Sequence, residues 1–434
     1  MISSVRHWLR SAPPLGAGIL DAGVAALAAF LVSVYAVRVL TPDQLGAHAL
    51  AFVAMILFAT LPERLVFLPT LAVSVERRAP ERLGYYREGL RVASPLVPAG
   101  LAIALVFFLL PPILSDAERI ALTGAAVSAA LFQSVQLFGR QILHYSNRSG
   151  GAIFTSLIRL AATAIALAAL SQSGLPFVAV PLAALSAGNA AAAVWVAVLR
   201  PPQKLARLSI RMIYGRGSYL AASAAAPVFA GFVVAYLVIA IGGAAMLGFA
   251  EAARVAAQPV FVGAAGLGLA VSPRLMAGAV ARENVGVAQT RRVFLGLLWA
   301  GAVGYAVLLA TPGIGLTIQD LLPNVFVVGG LVAASILAQA ALGTMIPYAA
   351  EAIALGREQA ILVAELSGAV VIIAFGLTVP LIGAFAIPVG LSGAGFIRTA
   401  ILAFMLRDRQ LSPEPPRHFE PLPGGAIHAA QSIE

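Results

Sequence analysis

Eight charged residues lie well inside segments that are otherwise apolar enough to cross a membrane. They are the arginines Arg64, Arg159, Arg254 and Arg398 and the carboxylates Asp21, Glu63, Glu251 and Glu365. A charge in hydrocarbon costs a few kcal/mol or more, so such residues usually face a bundle interior or water. Arginine stays ionised, and its planar fork binds phosphate at two points. The four arginines therefore predict substrate-binding positions in a cavity with positive walls, suited to an anionic or pyrophosphate-bearing substrate.

The depth of each arginine follows from its place in its predicted span. At 1.5 Å per residue, Arg159, Arg254 and Arg398 lie roughly 13–15 Å from a helix end, near the midplane of a ~30 Å core, and Arg64 lies nearer the cytoplasmic third. Arg159 and Arg398 have no evident local partner, which favours a cavity role over snorkelling to the interface. Glu251 and Arg254, three residues apart, share a helix face. They form either a cavity site or a pair that only holds their helix in place.

The carboxylates leave two interpretations open. Asp21, Glu63 and Glu365 either carry protons or sodium ions in a coupled transporter or serve interface and packing roles. No enzymatic constellation accompanies them, since the chain has no phosphate-cradling glycine loop before Lys-Ser/Thr. It has no cysteine, and its five histidines lack metal-ligand spacing. We therefore expect a protein that is not an enzyme, with no catalytic residue, no metal site and no cofactor.

The composition predicts a membrane protein. The 434 residues are 60% hydrophobic and 11% charged, with mean hydropathy +0.94, whereas soluble domains are about 45–50% apolar and about 25% charged. A spanning helix needs about 20 apolar residues. Twelve such runs occur, at 15–37, 46–74, 91–114, 120–143, 150–171, 175–199, 217–241, 245–273, 292–314, 324–349, 359–380 and 383–406.

Arginine-rich loops alternate with loops that are nearly free of positive charge. The basic loops contain Arg77/Arg78, Arg148, Lys204/Arg207, Arg282/Arg291 and Arg357, after every second span. Short basic loops stay in the cytoplasm. We expect a multi-pass protein of the bacterial inner membrane with both termini cytoplasmic. The formal charge of +10 is explained by topology and anionic headgroups, so nucleic acid is not an expected partner.

The domain organisation follows from one long basic loop. Residues 200–216 separate an N-terminal group of six spans, 1–199, from a C-terminal group, 217–406. The tail, 407–434, is polar and rich in proline, and we expect it to be disordered in the cytoplasm. The predicted fold is an all-α polytopic membrane protein with about twelve transmembrane helices in two parallel six-helix lobes.

Two short motifs recur about 200 residues apart. The first is VRVLTPDQLGAHAL, from Val37 to Leu50, and the second is MLGFAEAAR, from Met246 to Arg254. Their Leu-Gly pairs match, as expected for parallel repeats related by an axis along the membrane normal. The first motif resembles the "R-x-L-x-P-x-x-x-G-x-x-A" junction of polysaccharide flippases in the multidrug/oligosaccharidyl-lipid/polysaccharide exporter (MOP) superfamily. The second, with the exit Pro273-Arg274-Leu275, is similar to its counterpart in that family.

The resemblance implies a lipid-linked oligosaccharide flippase built of two six-helix lobes. Its substrate would be a glycan on an isoprenoid pyrophosphate, made at the cytoplasmic leaflet. In that family the first, second, seventh and eighth helices line the central cavity. Lipid II flippases of the superfamily typically have fourteen helices, so twelve spans favour the polysaccharide branch. The implied partners are the lipid-linked substrate, the bilayer and a polysaccharide polymerase or glycosyltransferases, with the flippase itself a monomer.

Two other functions remain open from the sequence. One is an ion-coupled drug or metabolite exporter of the same superfamily, although cationic drugs would favour an acidic cavity. The other is a non-transporting scaffold in a polysaccharide assembly complex, which would not need arginines at the midplane.

Overall fold

The structure, a computed structural model, describes residues 13–75, 79–101, 113–146, 148–198, 207–311 and 317–407. Regular structure in these ranges is helical throughout. Ten of the described helices are long and apolar enough to cross a membrane. The all-α polytopic membrane fold expected from the hydropathy pattern is confirmed.

The helices are numbered along the chain. The first half contains α1 (Pro13–Val39), α2 (Pro42–Pro62), a π-turn (Glu63–Phe67), α3 (Leu68–Val75), α4 (Ala79–Arg82), α5 (Tyr85–Ala93), a 3-10 segment (Ser94–Leu101), α6 (Asp116–Tyr145), α7 (Ser149–Leu170) and α8 (Val180–Val198). The second half contains α9 (Ile210–Gly242), α10 (Ala244–Val280), α11 (Asn284–Ala310), α12 (Ile318–Leu321), a 3-10 turn (Asn324–Phe326), α13 (Leu331–Gly343), α14 (Ile346–Ala354), α15 (Glu358–Gly376), α16 (Val379–Ile382), a 3-10 turn (Gly383–Phe385) and α17 (Ala386–Arg407).

Ten of the twelve predicted spans coincide with these membrane-spanning candidates. The predicted span 245–273 lies within α10, a continuous helix of 37 residues. The predicted span 91–114 includes residues 102–112, which lie outside the described residues, as do 408–434 of the predicted tail.

Two predicted spans are not single α-helices along their whole length. In 324–349, α13 ends at Gly343 and α14 begins at Ile346. Pro347 lies in the first turn of α14, where a backbone N–H would have no helical acceptor, so the proline costs no hydrogen bond. In 383–406, the helix starts only at Ala386 because Gly383 adopts φ +57°, a conformation that glycine tolerates without steric cost.

The described helices pack in two groups, which we call the first and second lobes. The first contains α1, α2, α6, α7 and α8, and the second contains α9, α10, α13, α15 and α17, with α11 packed against α10. The lobes meet where α2 contacts α9 and α10 and where α1 contacts α10. Three of these four helices, α1, α2 and α10, contain the motifs that the sequence comparison paired, so the repeated elements contribute to the interface between the lobes. The exact limits of the two units, 1–199 and 217–406, stay a prediction.

Helices α2 and α10 touch backbone to backbone near their first residues. A methyl group on Gly46 would lie 1.9 Å from the carbonyl oxygen of Ala244, and one on Gly248 would lie 2.1 Å from that of Pro42. Each glycine of the repeated Leu-Gly pair therefore packs on the start of the other helix. We call these four residues the seam. It is a contact in which only glycine fits.

Candidate functional site

A π-turn in the second predicted span positions Glu63 and Arg64. Pro62 precedes the turn and has no N–H to donate, and its ring crowds the carbonyl four residues earlier. The Leu68 N–H then donates to the Glu63 carbonyl, one residue beyond the α-helical pattern, and such bulges occur frequently at functional sites. The Arg64 Nε lies 3.7 Å from the Glu63 carboxylate, and 41% of the Arg64 side chain is exposed against 17% for Glu63.

Asp21 of α1 lies at the centre of a buried polar cluster. Its carboxylate accepts hydrogen bonds from Ser156 Oγ at 2.5 Å and contacts His144 Nε2 at 2.8 Å. The Arg140 Nε lies 3.0 Å from the same carboxylate. Asp21 is thus held by α6 and α7 inside the first lobe, and a packing role is accounted for by these contacts.

Arg140 and His144 were not among the predicted site residues. Arg140 lies near the end of the predicted span 120–143 and His144 just beyond it, where a charge is easily assigned to the adjoining loop. Their spacing of four residues places them on one face of a helix, and that spacing is the signal in the sequence that points to a shared partner. The partner itself, Asp21, lies in another helix.

Arg159 of α7 is buried within the first lobe. It donates to the Ala25 carbonyl and to Gln133 Oε1, both at 3.3 Å, and Gln133 also accepts from Asn189 at 3.0 Å. Among the described residues no carboxylate lies within 4 Å of Arg159, and its side chain is 4% exposed. The structure therefore places it among α1, α6, α7 and α8, whereas the sequence suggested a cavity wall.

Arg398 of α17 is paired with Glu365 of α15. The Arg398 Nε lies 3.2 Å from the Glu365 carboxylate, and both side chains are largely buried. The arginine crosses the backbone of α15 at Gly368, where a methyl group would lie 2.1 Å from the Arg398 Nε. The sequence showed no local partner for Arg398 because the two charges belong to different helices.

Glu251 and Arg254 form the pair that their spacing suggested. Arg254 donates through Nε at 2.7 Å and through Nη2 at 2.6 Å to the two carboxylate oxygens. The guanidinium also lies 5.7 Å from the centre of the Phe52 ring of α2. The pair thus faces the interface between the lobes, and 29% of the Arg254 side chain remains exposed.

Six charges of alternating sign run from the first lobe to the second. We call them the charge chain, in the order Asp21, Arg140, Glu63, Arg64, Glu365 and Arg398. Three of the five links are ion pairs within 4 Å: Asp21 with Arg140, Glu63 with Arg64, and Glu365 with Arg398. The other two are longer-range electrostatic interactions, of Glu63 with Arg140 and of Glu365 with Arg64. The π-turn supplies both central members, which stand in this order between the Asp21–Arg140 pair of the first lobe and the Glu365–Arg398 pair of the second. In the described part of the chain, no group of three His, Asp or Glu residues could hold a metal ion.

Solved structures with the same arrangement of helices are membrane transporters. An inward-facing MATE family transporter of the MOP superfamily matches with a TM-score of 0.69 over 89% of this chain and 94% of its own, at 13% identity. The chain has the fold of the MOP superfamily transporters. The lipid II flippase MurJ, in an inward closed conformation, matches with a TM-score of 0.64 over 89% of this chain and 86% of its own, at 13% identity.

A third match is a MOP superfamily transporter from Pyrococcus furiosus, described as having a binding pocket of reversed polarity. It has a TM-score of 0.55 at 13% identity and covers 93% of this chain and 96% of its own. No protein-family model matches the sequence, and no curated protein sequence matches it. The fold thus includes both drug transporters and a lipid flippase, and the charges described above must decide between them.

Proposed function

We propose that this protein is a flippase that moves an isoprenoid-pyrophosphate-linked oligosaccharide from the cytoplasmic to the outer leaflet by alternating access. The observation that carries the proposal is the pair of accessible arginines at the interface between the lobes. Arg64 on the π-turn and Arg254 on α10 keep 41% and 29% of their side chains exposed. A guanidinium at such a site can bind a phosphate oxygen pair in a bidentate manner.

Several features support this function over export of cationic drugs. A cationic drug would be repelled by exposed arginines, whereas a pyrophosphate is attracted to them. Three of the four carboxylates inside the spans are already engaged by close donors. Asp21 contacts three donors, Glu251 accepts two hydrogen bonds from Arg254, and Glu365 contacts Arg398. In alternating access by two lobes, the polyprenyl tail would remain in lipid while the headgroup crosses between them.

The setting of the proposed reaction follows from the charge of the loops. We place the protein in the bacterial inner membrane with both termini in the cytoplasm, because its basic loops fall on one side. The substrate would be delivered by glycosyltransferases and used by a polysaccharide polymerase on the other side. We expect the flippase to act as a monomer, with the surface or exopolysaccharide as the end product.

The test is a deletion strain whose membrane lipids are analysed by mass spectrometry. We expect isoprenoid-pyrophosphate oligosaccharide to accumulate and the surface glycan to be lost. Wild-type protein should restore the glycan, and the Arg64→Ala and Arg254→Ala variants should not, although they reach the membrane in equal amount. Arg119→Ala is the matched control, because Arg119 forms an ion pair with Asp116 at the far end of α6.

Three outcomes would contradict the proposal. Normal lipid intermediates together with new sensitivity to cationic drugs would indicate a drug exporter. Loss of glycan that both arginine variants restore fully would indicate a scaffold. Normal lipids, normal glycan and unchanged drug sensitivity would remove the protein from polysaccharide assembly altogether.

A further inference from the structure

Glu88 and Arg91 of α5 bind both backbone polar groups of one residue in the chain that joins the two lobes. The Glu88 carboxylate accepts a hydrogen bond from the Leu208 N–H at 3.2 Å, and Arg91 Nη2 donates to the Leu208 carbonyl oxygen at 2.7 Å. The same Glu88 oxygen also accepts from Arg91 Nε and Nη2, at 3.0 and 2.9 Å. We call these three residues the clamp. It is a closed ring of charge-assisted hydrogen bonds, which are stronger than those between neutral groups.

The clamp attaches the end of the inter-lobe loop to the first lobe. Helix α5 packs against α6 and the π-turn, and Glu88 and Arg91 lie three residues apart on it, so they share one helix face. Leu208 precedes the start of α9, and its side chain is buried among those of α5 and the π-turn. The ion pair would be complete without Leu208, so the contact with the loop is an additional one that packing creates.

The first two turns of α9 continue this attachment to the first lobe. Ile213 is fully buried among side chains of α5 and the π-turn. Tyr214 Oη donates to the Val92 carbonyl at 3.3 Å. A methyl group on Gly217 would lie 2.0 Å from the carbonyl oxygen of Leu65, which shows that the two backbones touch. The start of α9 thus packs directly on the π-turn.

The later turns of α9 belong to the second lobe. Helix α9 packs along α15, and a methyl group on Gly376 of α15 would lie 2.7 Å from Val234 Cγ2 of α9. One helix is therefore attached to the first lobe at its start and to the second lobe farther along. When the lobes move relative to each other, as alternating access requires, the start of α9 is drawn away from the π-turn unless contacts with the first lobe hold it.

We propose that Glu88 and Arg91 are positioning residues, whose clamp holds the first turns of α9 against the π-turn and thereby fixes Arg64. The support reaches Arg64 through its neighbour, since Gly217 packs on the Leu65 carbonyl. A binding group is precise when the residues around it lock its position. The holding of α9 does not depend on what is transported, whereas the effect on phosphate binding at Arg64 rests on the proposed function.

Maleimide labelling of an Ile213→Cys variant measures whether α9 leaves the π-turn, because the chain has no cysteine and position 213 is buried. Glu88→Ala and Arg91→Ala should each raise the labelling rate about tenfold, the effect of roughly one lost hydrogen bond. The swap Glu88→Arg/Arg91→Glu keeps an ion pair on α5 but turns a guanidinium towards the N–H and a carboxylate towards the carbonyl of Leu208. It should raise the labelling rate at least as much as either alanine variant.

Matched controls lie on α6. The swap Asp116→Arg/Arg119→Glu inverts an ion pair with the same three-residue spacing and should leave labelling at position 213 unchanged. Ala126→Cys, which is also buried, should be labelled equally slowly with and without the clamp, which excludes general unfolding. A milder variant, Tyr214→Phe, removes only the hydroxyl that bonds α5 and should raise the rate at position 213 less than the Glu88/Arg91 swap does.

A double-mutant cycle tests whether the clamp acts through Arg64. The experiment measures the Kd of purified protein in phosphatidylcholine nanodiscs for geranylgeranyl pyrophosphate. The Glu88→Arg/Arg91→Glu swap should weaken binding about fivefold when Arg64 is present and should have no effect in an Arg64→Ala background, because groups that act through one another are not additive. Equal weakening in both backgrounds would show a general structural effect instead.

The inference is overturned if the swap on α5 leaves the labelling rate at position 213 unchanged, or if it weakens binding equally with and without Arg64. Wild-type protein that binds no geranylgeranyl pyrophosphate overturns the role at Arg64. These results are separate from the deletion strain. Accumulated lipid-linked glycan with unchanged labelling rejects the clamp and keeps the flippase, whereas faster labelling without accumulated glycan keeps the clamp and rejects the flippase.

Discussion

The seam and the charge chain lie at two different levels of one helical span, the seam near its first residues and Arg64 about two thirds of the way along. Gly46 and Arg64 are about 27 Å apart along it at 1.5 Å per residue. At the seam, backbone atoms leave no room for even one added methyl group. At the charge chain, the lobes are linked by side chains of which one, Arg64, is 41% exposed. One end is therefore closed by shape, and the other is held by charges that water or an anionic ligand can also satisfy.

The largest effect should come from removing the buried carboxylate of Asp21, the first member of the charge chain. Asp21→Ala leaves Arg140 without its carboxylate and removes an acceptor from His144 and Ser156. Removing one partner of a buried ion pair costs about 3–5 kcal/mol, because the other charge stays behind. We expect a clear drop in the Tm of the purified protein. The control is Asp116→Ala, which breaks an exposed ion pair on α6 and should cost under about 1 kcal/mol. An equal drop in Tm for Asp116→Ala and Asp21→Ala would contradict the comparison.

The fold could be predicted from the sequence because hydropathy and loop charge act over whole spans. The π-turn could not, since Pro62 predicts a disturbance without saying whether the helix kinks, breaks or gains a residue. Glu251 and Arg254 could be paired in advance because three residues on a helix fix their distance.

The other pairs depend on how the helices pack. Asp21 meets Arg140, and Glu365 meets Arg398, across helices that are distant in the sequence. For the same reason the buried position of Arg159 among α1, α6, α7 and α8 was not evident. A charge near the middle of a span can face either its own lobe or the interface, and only packing decides which.

A smaller effect should follow from opening the seam. Gly46→Ala and Gly248→Ala each place a methyl group on the backbone of the opposite helix, and overpacking of this kind costs about 1–3 kcal/mol. If the seam opens during transport, that cost shifts the population of open protein by roughly 5- to 150-fold. The chain has no cysteine, so maleimide labelling of an Ala244→Cys variant, in which position 244 is buried, reports opening directly.

The control for the seam is Gly124→Ala on α6, where an added methyl group meets nothing within 4 Å. It should leave labelling at position 244 unchanged. Labelling that is equally slow in all three glycine variants would show that the seam relaxes without opening, and the contrast with the charge chain would fail.

Gly368→Ala tests the second lobe's end of the charge chain without changing any charge. The added methyl group would overlap the side chain of Arg398 and push it away from Glu365. Because a side chain yields more easily than a backbone, we expect a cost near 1 kcal/mol, at the low end of overpacking. The readout is glycan restoration in the deletion strain, which should be partial. The control is Gly301→Ala, which has open space around the added methyl group and should restore the glycan fully. Full restoration by both glycine variants would mean that only the first-lobe part of the charge chain matters for function.

The smallest effect should come from Asp320, whose backbone contacts Arg38, four residues before the seam residue Pro42. Arg38, at the end of α1, donates a hydrogen bond to the backbone carbonyl of Asp320. The carboxyl of Asp320 accepts hydrogen bonds from the backbone N–H and the hydroxyl of Thr317 and also feels the charge of Arg38. These interactions hold the pKa of the Asp320 carboxyl below its ordinary value, which is about 4. A lowered pKa adds stability above that value and loses it as the pH falls through the pKa of the folded protein. Asp320→Asn should therefore lower the Tm slightly at pH 7 and converge with wild type once the pH falls below the lowered pKa of the Asp320 carboxyl. Because the seam is closed by backbone contacts, the rate of maleimide labelling at position 244 should be the same for Asp320→Asn and wild type at pH 7. A faster rate in the variant would mean that charge also contributes to closing the seam.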